Sequence, residues 1–272
     1  MRDELKISVI DTLCPGRNLQ EKLYLLERLG IDGIELESAL AWPLQENKKV
    51  AYDLLSSSKV KLSSVLIGYQ GNLLSKNKKM RKRTMDRIKK YMDVCAELDG
   101  VGVVTIPSPR KKRHPFQFLM HPKKETRKSL AAEQYRELGK YAQELGVYVM
   151  IEPLDRSRVN FINTCNEAVE ICVMTGSDVV RICPDFFHMS IEEPEISEKI
   201  DEFSEYILHI HIGDNDSKSK FAMLPGRGKI DFADIFDTLG KTGYSNYLSL
   251  DCIIPSEEQL ASSVQYLREI EQ

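Results

Sequence analysis

Four short segments of this sequence end in groups that can bind a divalent cation: Ile151-Glu152-Pro153, Pro184-Asp185-Phe186-Phe187-His188, His209-Ile210-His211 and Leu248-Ser249-Leu250-Asp251. Each lies at the downstream end of a β-like apolar run. Side chains from four separate strand ends converge only if those strands are parallel neighbours curled about a common axis. Glu152, Asp185, His211 and Asp251 then form one site, and carboxylate oxygens with a single imidazole suit Mn²⁺, Mg²⁺, Co²⁺ or Zn²⁺. An ion held there beside a carbonyl acts as a Lewis acid, stabilising the enediolate left when a base removes the neighbouring proton. A carboxylate on each face would invert the carbon, whereas a single base would interconvert aldose and ketose, and a nearby leaving hydroxyl would permit dehydration.

The elements that must position these groups repeat along the chain. Apolar runs at 5–11, 31–37, 60–67, 101–106, 147–152, 178–184, 206–212 and 246–251 read as strands. Helical periodicity fills 19–29, 44–57, 79–98, 129–144, 164–175, 194–201, 231–239 and 256–270, with stops at Gly30, Gly146, Gly176 and Gly240. Strict alternation argues for a parallel sheet with helical crossovers. Eight units predict a closed (β/α)8 barrel, a TIM barrel formed by residues 1–272 as one domain, because such barrels take about 250 residues. A doubly wound nucleotide-binding sheet fits less well. The first turn reads Cys14-Pro15-Gly16-Arg17-Asn18, with no Gly-x-Gly-x-x-Gly. Polar residues at the carboxyl ends of barrel strands carry functional weight, and here those are the four residues above. The longest irregular stretch, 107–124, follows the fourth strand and is placed to shape substrate access.

His209 and His211 are two apart, so strand periodicity sends both to one face, about 6.6 Å apart along the strand. Only His211 should reach the mouth, leaving His209 as a hydrogen-bonded residue of the barrel interior. His188, three residues past Asp185, is expected to touch substrate. The charge balance of 38 basic against 41 acidic residues gives a net −3, which favours neither nucleic acid nor an anionic membrane as partner. The six cysteines show no Cys-x-x-Cys spacing, there is no run of eighteen apolar residues, and the first residues lack a signal-peptide core. These features lead us to expect a cytoplasmic protein whose partner is a small molecule. A homo-oligomer remains open.

The run Ile151-Glu152-Pro153-Leu154-Asp155-Arg156-Ser157-Arg158-Val159-Asn160, with Asp185-Phe186-Phe187-His188, His211-Ile212-Gly213-Asp214-Asn215 and Pro225-Gly226-Arg227-Gly228-Lys229-Ile230-Asp231, resembles the sugar phosphate isomerase/epimerase superfamily. Within it the sequence is most similar to the ketose 3-epimerases of the xylose isomerase-like barrels. The resemblance implies Mn²⁺ or a similar ion on Glu152, Asp185, His211 and Asp251. It also implies proton exchange through the first and last of these carboxylates, a sugar or sugar phosphate as substrate, and substrate contact by His188.

Three positions depart from that pattern. Asp251 replaces a glutamate and is one methylene shorter. Arg158 stands where a hydroxyl-gripping glutamate is usual, and Ser217 falls near a substrate-binding arginine. Arg158, Arg156 and the basic run at 110–113 could together receive a phosphate or carboxylate. The competing readings are an inosose-type dehydratase, an abasic-site endonuclease and a metal-binding barrel without turnover. The endonuclease needs more metal-ligating histidines than a chain with five histidines offers.

Overall fold

The computed structural model describes residues 5–37, 44–69, 71–108 and 123–271. The strands are β1 (Lys6–Ile10), β2 (Gly33–Glu37), β3 (Lys61–Gly68), β4 (Gly102–Thr105), β5 (Tyr148–Ile151), β6 (Val180–Ile182), β7 (Ile210–Ile212) and β8 (Tyr247–Leu250). They pair in parallel in the order β6-β5-β4-β3-β2-β1-β8-β7. Parallel bridges Ile182↔Ile207 and Asp185↔His211 then join β6 to β7 and close the barrel, as the alternation predicted. Two of the four candidate ligands therefore sit on the closing seam itself.

Among the described residues the helices are α1 (Leu19–Arg28), α2 (Leu44–Ser57), α3 (Lys78–Glu97), α4 (Lys124–Leu145), α5 (Cys165–Thr175), α6 (Phe186–Glu192), α7 (Ile196–Glu202), α8 (Phe232–Thr242) and α9 (Glu257–Glu271). Their starts follow from capping chemistry. Asn18 accepts from the Glu21 amide, and Thr164 from the Glu167 amide, each satisfying an orphan donor of the first turn. The helix expected to stop at Gly240 runs on to Thr242. Gly243, at φ 74°, makes the left-handed turn that ends it. The helix expected over 194–201 is α7, preceded by the unforeseen α6, which Asp185 caps from the end of β6.

The sheet is buried on both faces, which explains why its strands read as continuous apolar runs rather than alternating ones. Outside, the helices pack on residues such as Ile7, Ile34, Val103 and Leu248. Inside, Ile10, Leu66, Val104, Met150 and Cys183 form a separate apolar cluster in the lumen. Full burial of a side chain such as Met150 contributes about 1.5–3 kcal/mol, so this cluster makes a stiff base for the groups around it. All six cysteines are buried free thiols. No helix among the described residues is long and apolar enough to cross a membrane. The basic run at 110–113 and most of the 107–124 loop lie outside the described residues.

Candidate metal centre

Glu152 and Asp251 directly follow β5 and β8, Asp185 lies three residues past β6, and His211 is the middle residue of β7. Ladder hydrogen bonds hold three of these backbones, and the bridge to His211 places that of Asp185. Glu152 N–H donates to Thr105 O (3.1 Å), His211 N–H to Pro184 O (2.9 Å) and Asp251 N–H to Ile212 O (3.0 Å). One potential ligand atom from each of the four side chains lies within 4.8 Å of all the others. The structure thus brings together the whole set read from the strand ends.

Three carboxylates around one imidazole make the site electrostatically tense. Burial raises the Asp251 carboxyl to about 6; the His211 charge opposes the shift and the Glu152 charge adds to it. Burial likewise raises Asp185, against the pull of His188 and with a push from Asp251. His211 is raised well above its ordinary value: burial disfavours its charge, but neighbouring acidic groups, Cys183, Glu35 and Glu152 among them, outweigh that cost. Its Nδ1 lies 2.9 Å from Glu152 Oε1 and 3.8 Å from Asp251 Oδ2. Hard oxygens plus one imidazole nitrogen, crowded and burdened with negative charge, fit a divalent cation as the species that would relieve the repulsion.

Above this group lies a cavity of about 270 Å³, floored by Glu152, Asp185 and Asp251 and rimmed by Thr12, Glu37, Phe221 and Ile253. The Asp251 side chain is 33% exposed towards it. His188 lines the same cavity from the first turn of α6. Its Nδ1 meets Asp155 Oδ2 at 2.7 Å, and its Nε2 lies 3.9 Å from Asp185 Oδ2. Burial opposes protonation of His188, yet Asp185 and Asp155 raise its pKa. Burial also works against ionised Asp155, but its bonds to His188 and Ser157 hold that carboxyl far below the usual range.

Arg158 lines the cavity too. Its Nη2 donates to Lys220 O (2.9 Å), its Nε is 3.9 Å from Asp155, and its guanidinium lies over the Phe221 ring at 5.6 Å. Arg156 is not brought into the cavity: it pairs with Glu192, on α6. Ser217 adopts a left-handed φ of 66° in the loop after β7. That loop is clasped by buried Asp214, whose carboxylate accepts from the amides of Asn215, Gly226, Gly228 and Ile230.

Sequence reasoning missed Glu35, on β2. Wholly buried, it meets His209 Nε2 at 3.0 Å and His211 Nε2 at 3.1 Å. Burial raises a carboxyl, but the two imidazoles overwhelm that and hold Glu35 well below the ordinary range. The available signal was an acidic residue in the middle of an apolar strand, Gly33-Ile34-Glu35-Leu36, which demands a buried partner. Asp155 was missed as the partner of His188, and Asp214 as a clasp.

The profile of the xylose isomerase-like TIM barrel matches residues 23–270. The chain is 26% identical over 246 residues to a 3-dehydro-D-guloside 4-epimerase of Escherichia coli, covering 89% of each. It is 25% identical to a D-psicose 3-epimerase of Enterocloster bolteae, covering 89% of this chain and 79% of that one. Among solved structures, the 3-keto-D-glucoside 4-epimerase of E. coli superposes with a TM-score of 0.86 at 24% identity, over 98% of this chain and all (100%) of that one. A D-psicose 3-epimerase of Clostridium cellulolyticum solved with D-tagatose gives 0.85 at 19% identity, over 98% and 100%.

Proposed function

Because the chain belongs to the xylose isomerase-like TIM barrel family, we propose that it is a metal-dependent sugar epimerase or isomerase, moving a proton on the carbon beside a carbonyl. The observation that carries this reading is the convergence with His211 of the three carboxylates that floor a sugar-sized cavity. The epimerase names of its relatives support it. Glu152, Asp185, His211 and Asp251 would hold one divalent ion, Mn²⁺ by preference. When bound, such an ion supplies Lewis-acid stabilisation of the negative charge that develops on the substrate oxygens.

The remaining steps belong to the chain's own residues. Glu152 and Asp251 come from β5 and β8, the strands flanking the β6–β7 seam, and so approach the cavity from two sides. One carboxylate takes the proton from carbon and the other returns one to the opposite face, which inverts the centre. Glu152 is the more dependable base, since Asp251 is a methylene shorter than the glutamate of the resembling enzymes. His188, oriented by Asp155, presents Nε2 to a substrate hydroxyl. Among the described residues Arg158 is the guanidinium that lines the cavity, and it is assigned to an anionic end of the substrate, a sugar phosphate or sugar acid. Arg156, paired with Glu192, steadies the turn that carries Arg158.

The test is a screen of ketoses, ketose phosphates and keto-glycosides with added Mn²⁺ in deuterated water, read by deuterium uptake at carbon. Uptake in at least one class, abolished by chelation, is expected. No uptake in any class would end this reading.

A further inference from the structure

From the polar cluster beneath the metal group, we propose that Glu35 is the positioning residue that selects Nδ1 of His211 as the cation-binding nitrogen. This rests on the metal-site reading above and adds a residue outside the ligand set. The imidazole of His211 has two nitrogens that could face a cation, and the backbone of β7 does not decide between them. Glu35 does. Its carboxylate lies below the ring, with Oε1 and Oε2 at 3.2 and 3.1 Å from Nε2, while Nδ1 faces the Glu152 and Asp251 oxygens. A ring whose Nε2–H is donated to a buried carboxylate has only Nδ1 to offer.

His209 fixes Glu35 in turn. Its Nε2 is 3.0 Å from Glu35 Oε2, and its Nδ1 is buried without a hydrogen-bonding partner among the described residues. A buried N–H with no acceptor is costly, so the proton this ring donates sits on Nε2. The two rings meet edge to face at 5.5 Å, and both donate downwards into one carboxylate. With a donor on each side, Glu35 has no freedom to turn towards the cavity and become a ligand itself. The same three residues also satisfy the spacing of a cation site. That alternative would take the His211 nitrogen away from the cavity and leave the other three carboxylates without it.

Glu35→Gln separates the possibilities, because an amide has one acceptor oxygen where the carboxylate has two. With its one oxygen where Oε2 now accepts from both rings at 3.0 and 3.1 Å, it sets an N–H₂ against His211 Nε2 in place of Oε1 at 3.2 Å and removes the negative charge behind the ring. In the chelator-treated protein, titration with Mn²⁺ should show affinity reduced about 10- to 100-fold in Glu35→Gln, the usual effect of losing a partner behind a metal-bound imidazole. A purely structural Glu35 would lower thermal stability and leave affinity within about twofold, which would overturn the proposal. Imidazole ¹⁵N shifts of the unmutated protein on adding Cd²⁺ give an independent reading that needs no variant to fold. Nδ1 should move to a metal-bound shift while Nε2 stays protonated, and metal on Nε2 would equally overturn the proposal. If the unmutated protein binds neither ion, the metal reading itself fails, a result distinct from either of these.

Discussion

Replacing Asp214 with asparagine should loosen the loop after β7 and with it one wall of the cavity. The carboxylate accepts four backbone amides: Asn215 (2.8 Å) and Ile230 (3.1 Å) at Oδ1, Gly226 (3.0 Å) and Gly228 (2.6 Å) at Oδ2. Asp214 is 1% exposed, so water does not reach its carboxylate. An asparagine keeps one acceptor oxygen and turns N–H₂ towards the other two amides. Two part-buried amide bonds to a buried carboxylate are lost at about 1–3 kcal/mol each, a total of about 2–6 kcal/mol. That is a large part of an ordinary domain's stability of about 5–15 kcal/mol. The loop carries Phe221 and Ala222 to the cavity, so its release should also weaken substrate binding. Gly228→Ala provides a second route to the same clasp, because its Cβ would lie 2.3 Å from Asp214 Oδ1. Urea unfolding followed by circular dichroism measures the global loss, and limited proteolysis reports cleavage within 216–229 if only the loop detaches. An Asp214→Asn protein within about 1 kcal/mol of the parent, with the loop equally resistant to protease, would refute the reasoning.

Metal analysis of Asp185→Asn should show lost occupancy, since the change removes one of three carboxylates from the group; full retention would contradict the ligand assignment. Arg158→Ala should raise KM about ten- to a hundredfold for a ketose phosphate, the loss of a charge-assisted bond of roughly 1.5–3 kcal/mol, and leave a neutral ketose nearly unchanged. Equal effects on both would reduce Arg158 to a support for Phe221. The Asp11 carboxyl is raised from 3.8 to about 6, by burial first, so the folded chain binds this proton more tightly than the unfolded one. Its contribution to stability is present below about pH 4 and lost as pH rises through about 6, by up to about 3 kcal/mol at roughly 1.4 kcal/mol per unit. Asp11→Asn should therefore flatten the fall in unfolding free energy between those pH values, and an unchanged slope would count against the shift.

The barrel was legible because parallel strands buried on both faces leave apolar runs at regular intervals, each followed by a capped helix. The convergence of Glu152, Asp185, His211 and Asp251 was legible for the same reason: a carboxylate at the end of such a run has no apolar role to play. Asp185 concealed α6, because one side chain serves both as candidate ligand and as the cap that starts the helix through the His188 amide. Glu35 and His209 stand 174 residues apart, so nothing local joins them, although each alone signals a buried polar group. Asp214 was harder still. Its partners are main-chain amides, which leave no mark in the sequence beyond the glycines at 226 and 228 that let the backbone approach.

The most direct test of the central claim is solvent-deuterium incorporation into a turned-over ketose by the Mn²⁺-loaded protein and by Glu152→Gln. The substitution keeps the side chain's shape and removes its proton acceptor. The parent should place deuterium on the carbon beside the carbonyl, and the variant should lose at least about 10²-fold in that rate while still binding the ion. A Glu152→Gln protein that exchanges at the parental rate would contradict the account.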